Sequence, residues 1–559
     1  ITKGLKLTGL ISFKNWSKSY FTRTIEPYYY MAKPGSYDPY DSEAANYTLE
    51  RVGTSGKDFI TQSDPEKSAD RTFQFQAALE WSRNFKGIHD LSAMLLYLQR
   101  EYRVNPLPTR NQGISGRFTY AYDQRYLFEA NFGYNGTERL ASGHRFEMFP
   151  SFAAGWVISN EKFFEPINRI ITNLKIRGSW GLVGNDETGT KDIRTGAEGP
   201  HFIYLTNVNL NDDNHQYTTG VDMNVTYKGP AVTQYGVTNA TWERAEKLNL
   251  GVDLELFSKL SLTVDIFKDN RSNILLRRER FPEYLGYENA KPWASIGKVE
   301  NKGLELAMNY VQEIGKNWSF DLRGTFTYNR ATQIYSDEAY RAEEYRRHDG
   351  KSLNGTWGYV AERLFVDQAD IDNSPTQKFG NSPMPGDIKY KDMNGDGMID
   401  GSDQCELSPY GSTPGIMYGF GSTIRYKKFD LGFFFQGAAQ RKIMISGIHP
   451  FGNTRKNVLQ FIADDYWSES NPNPDAAYPR LEYRDDANNN RQNSSYWLRD
   501  GSYMRLKNAE LGYNFKYGRI YLIGNNLLTF SKFKLWDPEL SWNAYPLSRT
   551  FSIGMQLNF

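Results

Sequence analysis

The sequence lacks most of the features that mark disulfide-stabilised proteins and helical membrane proteins. Its 559 residues include a single cysteine, Cys405, which excludes an intrachain disulfide framework and a thiolate metal cluster. No run of about eighteen apolar residues occurs, so the sequence predicts no transmembrane helix. No helical periodicity continues long enough to cover a sheet, which argues against an α/β fold. The chain begins at Ile1 and enters a strand-like run without a basic and apolar leader, so we expect a removed leader or a longer parent protein.

Charge of neither sign is in excess. Lys and Arg number 66, and Asp and Glu number 65, so the charge gives no indication of nucleic-acid binding. Aromatic residues are abundant, with 38 Tyr and 34 Phe, although the mean hydropathy is −0.65. This combination is typical of a membrane β-barrel wall, in which lipid-facing and lumen-facing side chains alternate and cancel in any window.

The last ten residues carry the clearest pattern. The apolar side chains fall on one face of an extended strand, and Thr, Ser, Gly, Gln and Asn fall on the other. The apolar residues are Phe551, Ile553, Met555, Leu557 and Phe559. Ten residues form one membrane crossing for a tilted strand. An edge strand of a soluble sandwich has the same period, so this segment alone does not decide between the two folds.

Similar alternation along the chain predicts about sixteen strands, joined alternately by tight turns and long loops. A soluble sandwich has no reason to separate loop lengths in this way, whereas an outer-membrane barrel does. We therefore predict an all-β fold, a transmembrane antiparallel β-barrel. The predicted strands are residues 5–22, 71–86, 89–104, 110–123, 125–138, 145–158, 171–184, 240–257, 259–275, 295–313, 317–335, 415–428, 429–444, 503–516, 519–532 and 550–559. The long loops, expected to be extracellular, lie near 23–70, 185–239, 336–414 and 445–502.

Eight stretches spread over nearly the whole chain carry a family likeness. They are FPSFAAGWVISNEKFF (149–164), LKIRGSWGLVGND (174–186), TWERAEKLNLGVDLELF (241–257), SIGKVENKGLEL (295–306), PGDIKYKDMNGDGMIDGSD (385–403), RDGSYMRLKNAELGYNF (499–515), IGNNLLTFSKFKLWDPE (523–539) and YPLSRTFSIGMQLNF (545–559). In content and in order they resemble the SusC/RagA-like TonB-dependent outer-membrane transporters of Bacteroidetes-type bacteria.

The resemblance implies a 22-stranded barrel filled by an N-terminal plug. Residues 1–559 match only the C-terminal part of such a barrel, and the plug, the TonB box and roughly the first six strands have no counterpart in this sequence. A sixteen-strand piece would leave two unpaired edge strands. Lipid cannot form hydrogen bonds with the backbone N–H and C=O groups of these strands. We therefore expect a second polypeptide or a missing segment to supply the plug and the first strands.

The function implied by the resemblance is TonB-dependent import of an oligomeric nutrient, a glycan or a peptide, across the outer membrane. It further implies a SusD-like lipoprotein on the long loops and TonB engaged through the plug segment. Two other functions stay open on the sequence: a passive porin, and a structural or secretion-associated barrel without transport. Fold-level likeness does not separate glycan from peptide cargo.

One motif resembles a calcium loop of the EF-hand type. It offers oxygen ligands at positions one, three and five, a glycine at six, a backbone carbonyl at seven and an acid at twelve. The candidate ligands for a structural calcium or magnesium ion are Asp392, Asn394, Asp396, Met398 through its carbonyl, Asp400 and Asp403. Because Asp403 replaces the usual glutamate, magnesium is a competing ion. The alternative is an Asx-rich turn without an ion.

Motifs for catalysis are missing from the sequence. It contains no phosphate loop, no zinc-type histidine pair and no nucleophile elbow, so we predict no catalytic residues and no enzyme activity. Aromatic residues in the long loops have a geometry suited to sugar or peptide contact, but packing between loops is the favoured interpretation. They are Trp293, Tyr335, Tyr340, Tyr345, Trp357 and Tyr359, and no substrate residue is assigned.

Overall fold

The computed structural model describes residues 3–35, 48–104, 107–188, 202–282, 284, 291–448, 457–482, 488–542 and 544–558. The chain divides into two compact units. One consists of Ile1–Lys6, Glu80–Leu95 and Ser115–Phe559, and the other of Leu7–Leu79 and Leu96–Ile114.

Within the described residues, sixteen strands form one sheet whose order follows the sequence. The paired strands run antiparallel. They are β1 (Leu5–Tyr20), β2 (Glu66–Phe85), β3 (His89–Arg103), β4 (Thr109–Tyr122), β5 (Tyr126–Thr137), β6 (Phe146–Val157), β7 (Ile171–Asn185), β8 (Glu243–Leu256), β9 (Leu260–Arg277), β10 (Trp293–Ile314), β11 (Trp318–Tyr335), β12 (Ile416–Tyr426), β13 (Phe429–Ala439), β14 (Tyr503–Phe515), β15 (Gly518–Ser531) and β16 (Thr550–Leu557). The order begins at β1 and ends at β16.

The strand register places apolar side chains in rows on one face of the sheet. Leu511 lies opposite Leu522, and Leu522 lies opposite Ile553. These three side chains are 53%, 49% and 80% exposed. Exposed apolar rows are what a lipid-facing wall requires, because hydrocarbon tails accommodate apolar side chains that water would not. The all-β prediction and the strand count are confirmed.

Two strand boundaries differ from the prediction by five residues, and the others lie within three residues of it. The strand predicted from residue 71 begins at Glu66, because the polar residues before 71 extend the ladder beyond the apolar pattern. The strand predicted over 429–444 ends at Ala439, and Lys442–Met444 forms a separate strand. Between them Gln440 has φ of 55°, a left-handed conformation that interrupts a ladder. Phe559, the last residue of the predicted apolar face, lies outside the described residues.

The long loops contain further secondary structure that their polar sequences did not indicate. A two-stranded arm, Asn207–Thr219 with Val225–Gln234, stands between β7 and β8. The shorter strands are Arg23–Thr24, Tyr30–Ala32, Leu49–Arg51, Thr61–Gln62, Thr356–Gly358, Ala361–Leu364, Thr376–Gln377, Ile388–Tyr390, Met398–Ile399, Cys405–Ser408, Lys442–Met444 and Leu498–Asp500. The helices are α1 (Gln368–Asp372), α2 (Gln460–Ala463) and the 3₁₀ turns Ile158–Asn160, Lys162–Ile167, Glu344–Arg346, Gly401–Asp403, Ser446–Ile448, Asn488–Arg491 and Ser495–Trp497. Of the helices in the described residues, none has the length and apolar character needed to cross a membrane.

Candidate functional site in the long loops and on the polar face

The calcium-type loop is a chain of side-chain to backbone turns. The carboxylate of Asp392 accepts from the backbone N–H of Gly395 at 2.6 Å and of Gly397 at 2.8 Å. Asn394 accepts from the N–H of Asp396 at 3.1 Å and donates from its amide to the Asp396 carboxylate at 2.9 Å. The first three predicted ligands thus lie at one exposed tip, with oxygens of Asp392 and Asn394 accepting from the backbone and the Asn394 amide donating to Asp396.

Asp403, the twelfth residue, takes a different position. It is fully buried, and its two carboxylate oxygens accept from the N–H groups of Met393 and Asp400, each at 2.8 Å. Asp400 accepts in turn from the N–H of Ser402 at 2.7 Å, which holds the pKa of Asp400 below its ordinary value. Asp403 therefore fastens the two ends of the loop, in the manner of a capping box.

Metal binding by this loop stays a prediction. Among the residues that the structure describes, no group of three or more His, Cys, Asp or Glu side chains converges as metal ligands would. Asp392, Asn394 and Asp396 fit the outer half of a hard-cation site, since all offer oxygen. Asp403 already uses both oxygens on backbone donors, so it fits the inner half less well.

The loop is anchored through Ile399 to a hydrophobic core built from the long loops, which we call the loop core. Met398–Ile399 pairs in parallel with Thr376–Gln377, and Ile399 has no exposed surface. The Tyr345 hydroxyl donates to the Ser402 carbonyl at 2.8 Å. The buried members of the loop core are Tyr359, Leu364, Phe379, Ile388, Tyr390, Ile399, Ile445, Ile448, Ile462, Trp467, Ala476, Tyr478, Trp497 and Phe533.

A buried polar network joins the loops at 336–414 and 445–502. Arg480 donates to Asp387 at 2.6 Å, and Asn490 donates to the same carboxylate at 2.8 Å. Asn490 also accepts from the N–H of Ile388 at 2.9 Å. The hydroxyl of Tyr390 donates to the Asn489 carbonyl at 2.8 Å, and burial raises the pKa of this tyrosine. These buried hydrogen bonds therefore connect the two loops directly.

The aromatic residues predicted in the loops divide into buried and exposed sets. Trp293 and Tyr359 are 9% and 4% exposed and pack inside two hydrophobic clusters. Trp357 packs against His348 with ring centroids 4.0 Å apart. Tyr340 is 84% exposed. Loop packing therefore accounts for Trp293 and Tyr359, whereas Tyr340 is available to a ligand or partner.

Sequence reasoning missed the charged groups on the polar face of the sheet, opposite the apolar rows. Arg177 on β7 reaches across β8 to Asp265 on β9 at 2.7 Å. It also contacts Asp253 on β8 at 3.2 Å. It passes over Gly251, where a Cβ would lie 2.5 Å from the guanidinium carbon. The available signal was a glycine with an asparagine two residues away on one side and an acid two residues away on the other, here Asn249 and Asp253.

A second arginine repeats this arrangement. Arg519 on β15 passes over Gly512 to contact Asp430, and it also contacts Glu510. A Cβ at Gly512 would lie 2.5 Å from both the guanidinium and the Asp430 carboxylate. Cross-strand pairs of this type give the polar face a lining of paired charge, which suits the passage of hydrated solutes.

Above these pairs the polar face meets the loops around a cavity of about 500 Å³. Its walls combine aromatic, amide and charged side chains. They include Thr325, Phe434, Gln436, Arg441, Tyr503 and Glu539. Arg505 fixes the Glu539 carboxylate at 2.8 Å and Asp537 at 2.7 Å. The cavity therefore has an ordered charged border on its loop side.

Comparison with known proteins places this geometry in context. No protein-family profile matches the chain. The chain is 27% identical over 478 residues to the TonB-dependent receptor SusC of Bacteroides thetaiotaomicron, covering 81% of this chain and 44% of that protein. It is 26% identical over 485 residues to the TonB-dependent receptor P3 of Formosa agariphila, covering 80% and 45%.

The chain is a relative of the SusC-type TonB-dependent receptors. It spans about half the length of the curated receptors that it matches. A solved structure, that of the RagAB peptide transporter, matches all of this chain and 60% of its own with a TM-score of 0.70 at 19% identity. A second solved structure, that of the RagAB peptide importer in its closed-closed state, matches the chain with a TM-score of 0.71. These two likenesses show the fold.

Sequence similarity to these receptors gives the cellular location of the chain. It lies in the outer membrane. Its relatives are named as receptors and not as enzymes.

Proposed function

We propose that the chain is the C-terminal barrel portion of a TonB-dependent importer that carries an oligomeric nutrient, a glycan or a peptide, across the outer membrane. The observation that supports this best is the kinship with TonB-dependent receptors over about four fifths of the chain. The paired charges on the polar face and the rigid loop core agree with a hydrated path below a structured entrance.

The proposal includes partners. A SusD-like lipoprotein covers the long loops, and a further segment or a second polypeptide supplies the plug, the TonB contact and about six strands between β16 and β1. This arrangement is supported by the sheet order, which has β1 at one end and β16 at the other. It is also supported by the exposure of every residue of β1.

Growth of the native host tests the proposed function. A strain lacking the gene should fail to grow on one class of oligomer while growing normally on the corresponding monomer. The same failure should follow when TonB is removed. Uptake that persists without TonB would favour a passive porin, and normal growth on every oligomer would favour a structural or secretion-associated barrel. Mass spectrometry of the complex purified from the membrane would identify the bound oligomer and the partner chains.

We also propose that the calcium-type loop binds one structural divalent cation, calcium or magnesium. The ligands are Asp392, Asn394, Asp396, Asp400 and Asp403, with the carbonyl of Met398. The loop is an exposed tip on a buried anchor, so an ion there would stiffen the tip without touching the sheet.

The variant Asp396→Ala tests this ion. Elemental analysis of the purified protein should find one divalent ion, and the variant should lose it. Hydrogen exchange should then become faster at residues 385–410 and stay unchanged in the strands. Asp372→Ala is a matched control, since this exposed acid lies in the same loop but outside the motif. Absence of metal at millimolar calcium would contradict the proposal.

A further inference from the structure

Seven connections of the sheet, six of two or three residues and one of thirteen, form one continuous edge, which we call the short-turn rim. They are residues 86–88, 123–125, 158–170, 257–259, 315–317, 427–428 and 516–517. Because they join strands in alternate pairs of an antiparallel sheet, they lie at the same edge. All of them belong to the larger compact unit.

Backbone hydrogen bonds link each short connection to the next strand pair. The bonds are Asp123 N to Ile88 O at 2.7 Å, Val157 N to Arg125 O at 2.7 Å, Phe257 N to Ile170 O at 2.8 Å, Val311 N to Lys259 O at 2.8 Å, Lys427 N to Asn317 O at 2.8 Å, Asn514 N to Lys428 O at 2.7 Å and Asn558 N to Tyr517 O at 2.9 Å. The backbone positions of the rim connections are therefore set relative to one another.

The short-turn rim carries an excess of positive charge in a protein whose formal net charge is +1. Every one of its connections contains a Lys or an Arg. Eight of these cations are exposed, and within the described residues none has an ion-pair partner. They are Lys86, Lys162, Arg169, Lys259, Lys316, Lys427, Lys428 and Lys516.

The acids of the rim do not balance this charge. Two of its three acids, Asp123 and Glu161, are paired with Arg125 at 3.1 and 3.0 Å, and only Glu165 is left. The arginines of the polar face differ, since Arg177 and Arg519 each contact two acids. The rim therefore carries positive charge that its own acids do not balance.

Exposed aromatic rings border the rim on the apolar face. Trp318 and Tyr426 have ring centroids 4.3 Å apart, and those of Phe429 and Tyr513 are 4.9 Å apart. These four rings are 38% to 54% exposed. Tyr and Trp concentrate where a membrane meets water, because one end of the ring is apolar and the other is polar.

Lysine ammonium groups lie over the bordering ring of Tyr426 and over the ring of Tyr517 in the rim itself. Lys427 Nζ is 5.4 Å from the centroid of Tyr426, and Lys516 Nζ is 5.0 Å from that of Tyr517. Cation–π contact keeps these ammonium groups beside aromatic rings, and rings of this kind concentrate at the membrane–water interface, where lipid phosphates lie.

We propose that the short-turn rim binds the headgroups of anionic phospholipids in the membrane leaflet next to it. A phosphate diester accepts hydrogen bonds from lysine and carries the opposite charge, and basic residues near a membrane surface attract anionic lipid additively. The choice of phospholipid over lipopolysaccharide rests on the proposed topology, in which the short turns face the periplasm.

The test uses the complete receptor purified from its membrane in detergent. Phosphatidylglycerol and phosphatidylethanolamine of the same acyl chains are titrated in separate samples, and native mass spectrometry counts the lipids retained. The test variant carries K259Q, K316Q, K427Q and K516Q. The control carries K378Q, K391Q, K532Q and K534Q, which remove the same charge from exposed lysines of the long loops.

The wild type and the control should retain phosphatidylglycerol in preference to phosphatidylethanolamine. The test variant should lose this preference, with an affinity about fivefold lower for each lysine that contacts a given headgroup. A variant with arginine at the same four positions should retain the preference for phosphatidylglycerol. This variant is the control for folding of the altered turns. Equal binding of both lipids by the wild type, or an unchanged preference in the test variant, would overturn the proposal.

A third titration with purified lipopolysaccharide separates this proposal from the topology on which it rests. Binding of lipopolysaccharide that depends on the same four lysines, without binding of phosphatidylglycerol, would refute the phospholipid assignment and place the short turns on the cell surface. Because none of these titrations measures uptake, their outcome is independent of the growth test of the proposed function.

Discussion

Single residues hold the loop core together where charge is buried. Asp387 is 2% exposed and accepts from Arg480, from Asn490 and from the N–H of Met384 at 2.9 Å. A carboxylate in this position is stable only while its donors remain, because water cannot replace them. The ion pair therefore fixes the relation between two loops that are far apart in sequence.

We predict that Arg480→Met weakens the loop core by about 3 kcal/mol, since it leaves a buried carboxylate without its cation. Hydrogen exchange at residues 384–390 measures the loss as a lower opening free energy. Arg346→Met is the control, because Arg346 forms a pair with Glu343 of similar length, 3.1 Å, that is more exposed. Its effect should stay within about 0.5 kcal/mol. Equal effects of the two variants would show that burial does not decide the strength of these pairs.

A second loop carboxylate, that of Asp370, makes the stability of the fold depend on pH. Burial alone would raise the pKa of Asp370, but Arg363, the Val366 N–H and Lys389 outweigh it and lower the pKa to about 2. Because the folded pKa lies below the ordinary value of 3.8, this carboxylate stabilises the fold fully above that value. Its contribution is lost as the pH falls toward 2.

We predict that residues 361–390 become sensitive to pepsin between about pH 4 and pH 2. Asp370→Asn should remove this transition, because no charge is then titrated, and should make the segment sensitive already at pH 4. A transition of the same midpoint in Asp370→Asn would assign the pH dependence to another group.

At the scale of elements, the short strand Met398–Ile399 joins the calcium-type loop to the loop core. Ile399 has no exposed surface, whereas its neighbour Met398 is 40% exposed. The alternation of a strand thus directs one side chain inward and the next one outward. The anchor of the loop is therefore apolar and does not require an ion.

We predict that Ile399→Ala lowers the local stability of the loop core by about 2 to 5 kcal/mol, the range for a buried isoleucine replaced by alanine. Met398→Ala, one residue away, should change it by less than about 0.5 kcal/mol. Hydrogen exchange at Thr376–Gln377 and Ile388–Tyr390 measures both. If calcium alone held the loop, Ile399→Ala would have little effect at saturating calcium.

At the scale of the whole molecule, the alternation of short and long connections predicts the orientation in the membrane. The long loops should face the cell exterior and the short-turn rim the periplasm. Labelling of intact cells with a membrane-impermeant maleimide tests this. Arg347→Cys should react, and Ser258→Cys and Lys428→Cys should not. Cys405 is buried and gives a low background. The opposite labelling pattern would reverse the topology.

The sequence by itself determined the all-β class, the strand count, the apolar face and the calcium-type motif. These depend on local patterns: a period of two along each strand, turn residues between strands, and fixed spacing of oxygen ligands. The sequence-based prediction was wrong where the local pattern is weak. It missed the end of a strand before Gln440 and the polar strand Asn207–Thr219.

Only the tertiary structure decided which distant residues meet. Asp387 and Arg480 lie 93 residues apart, and no local pattern connects them, because their contact exists only after two loops share one core. The short-turn rim has the same origin: its lysines are scattered through the sequence, and the antiparallel order of the sheet brings them to one edge. Asp403 is another example, because the motif does not reveal that its carboxylate accepts from the backbone N–H groups of Met393 and Asp400.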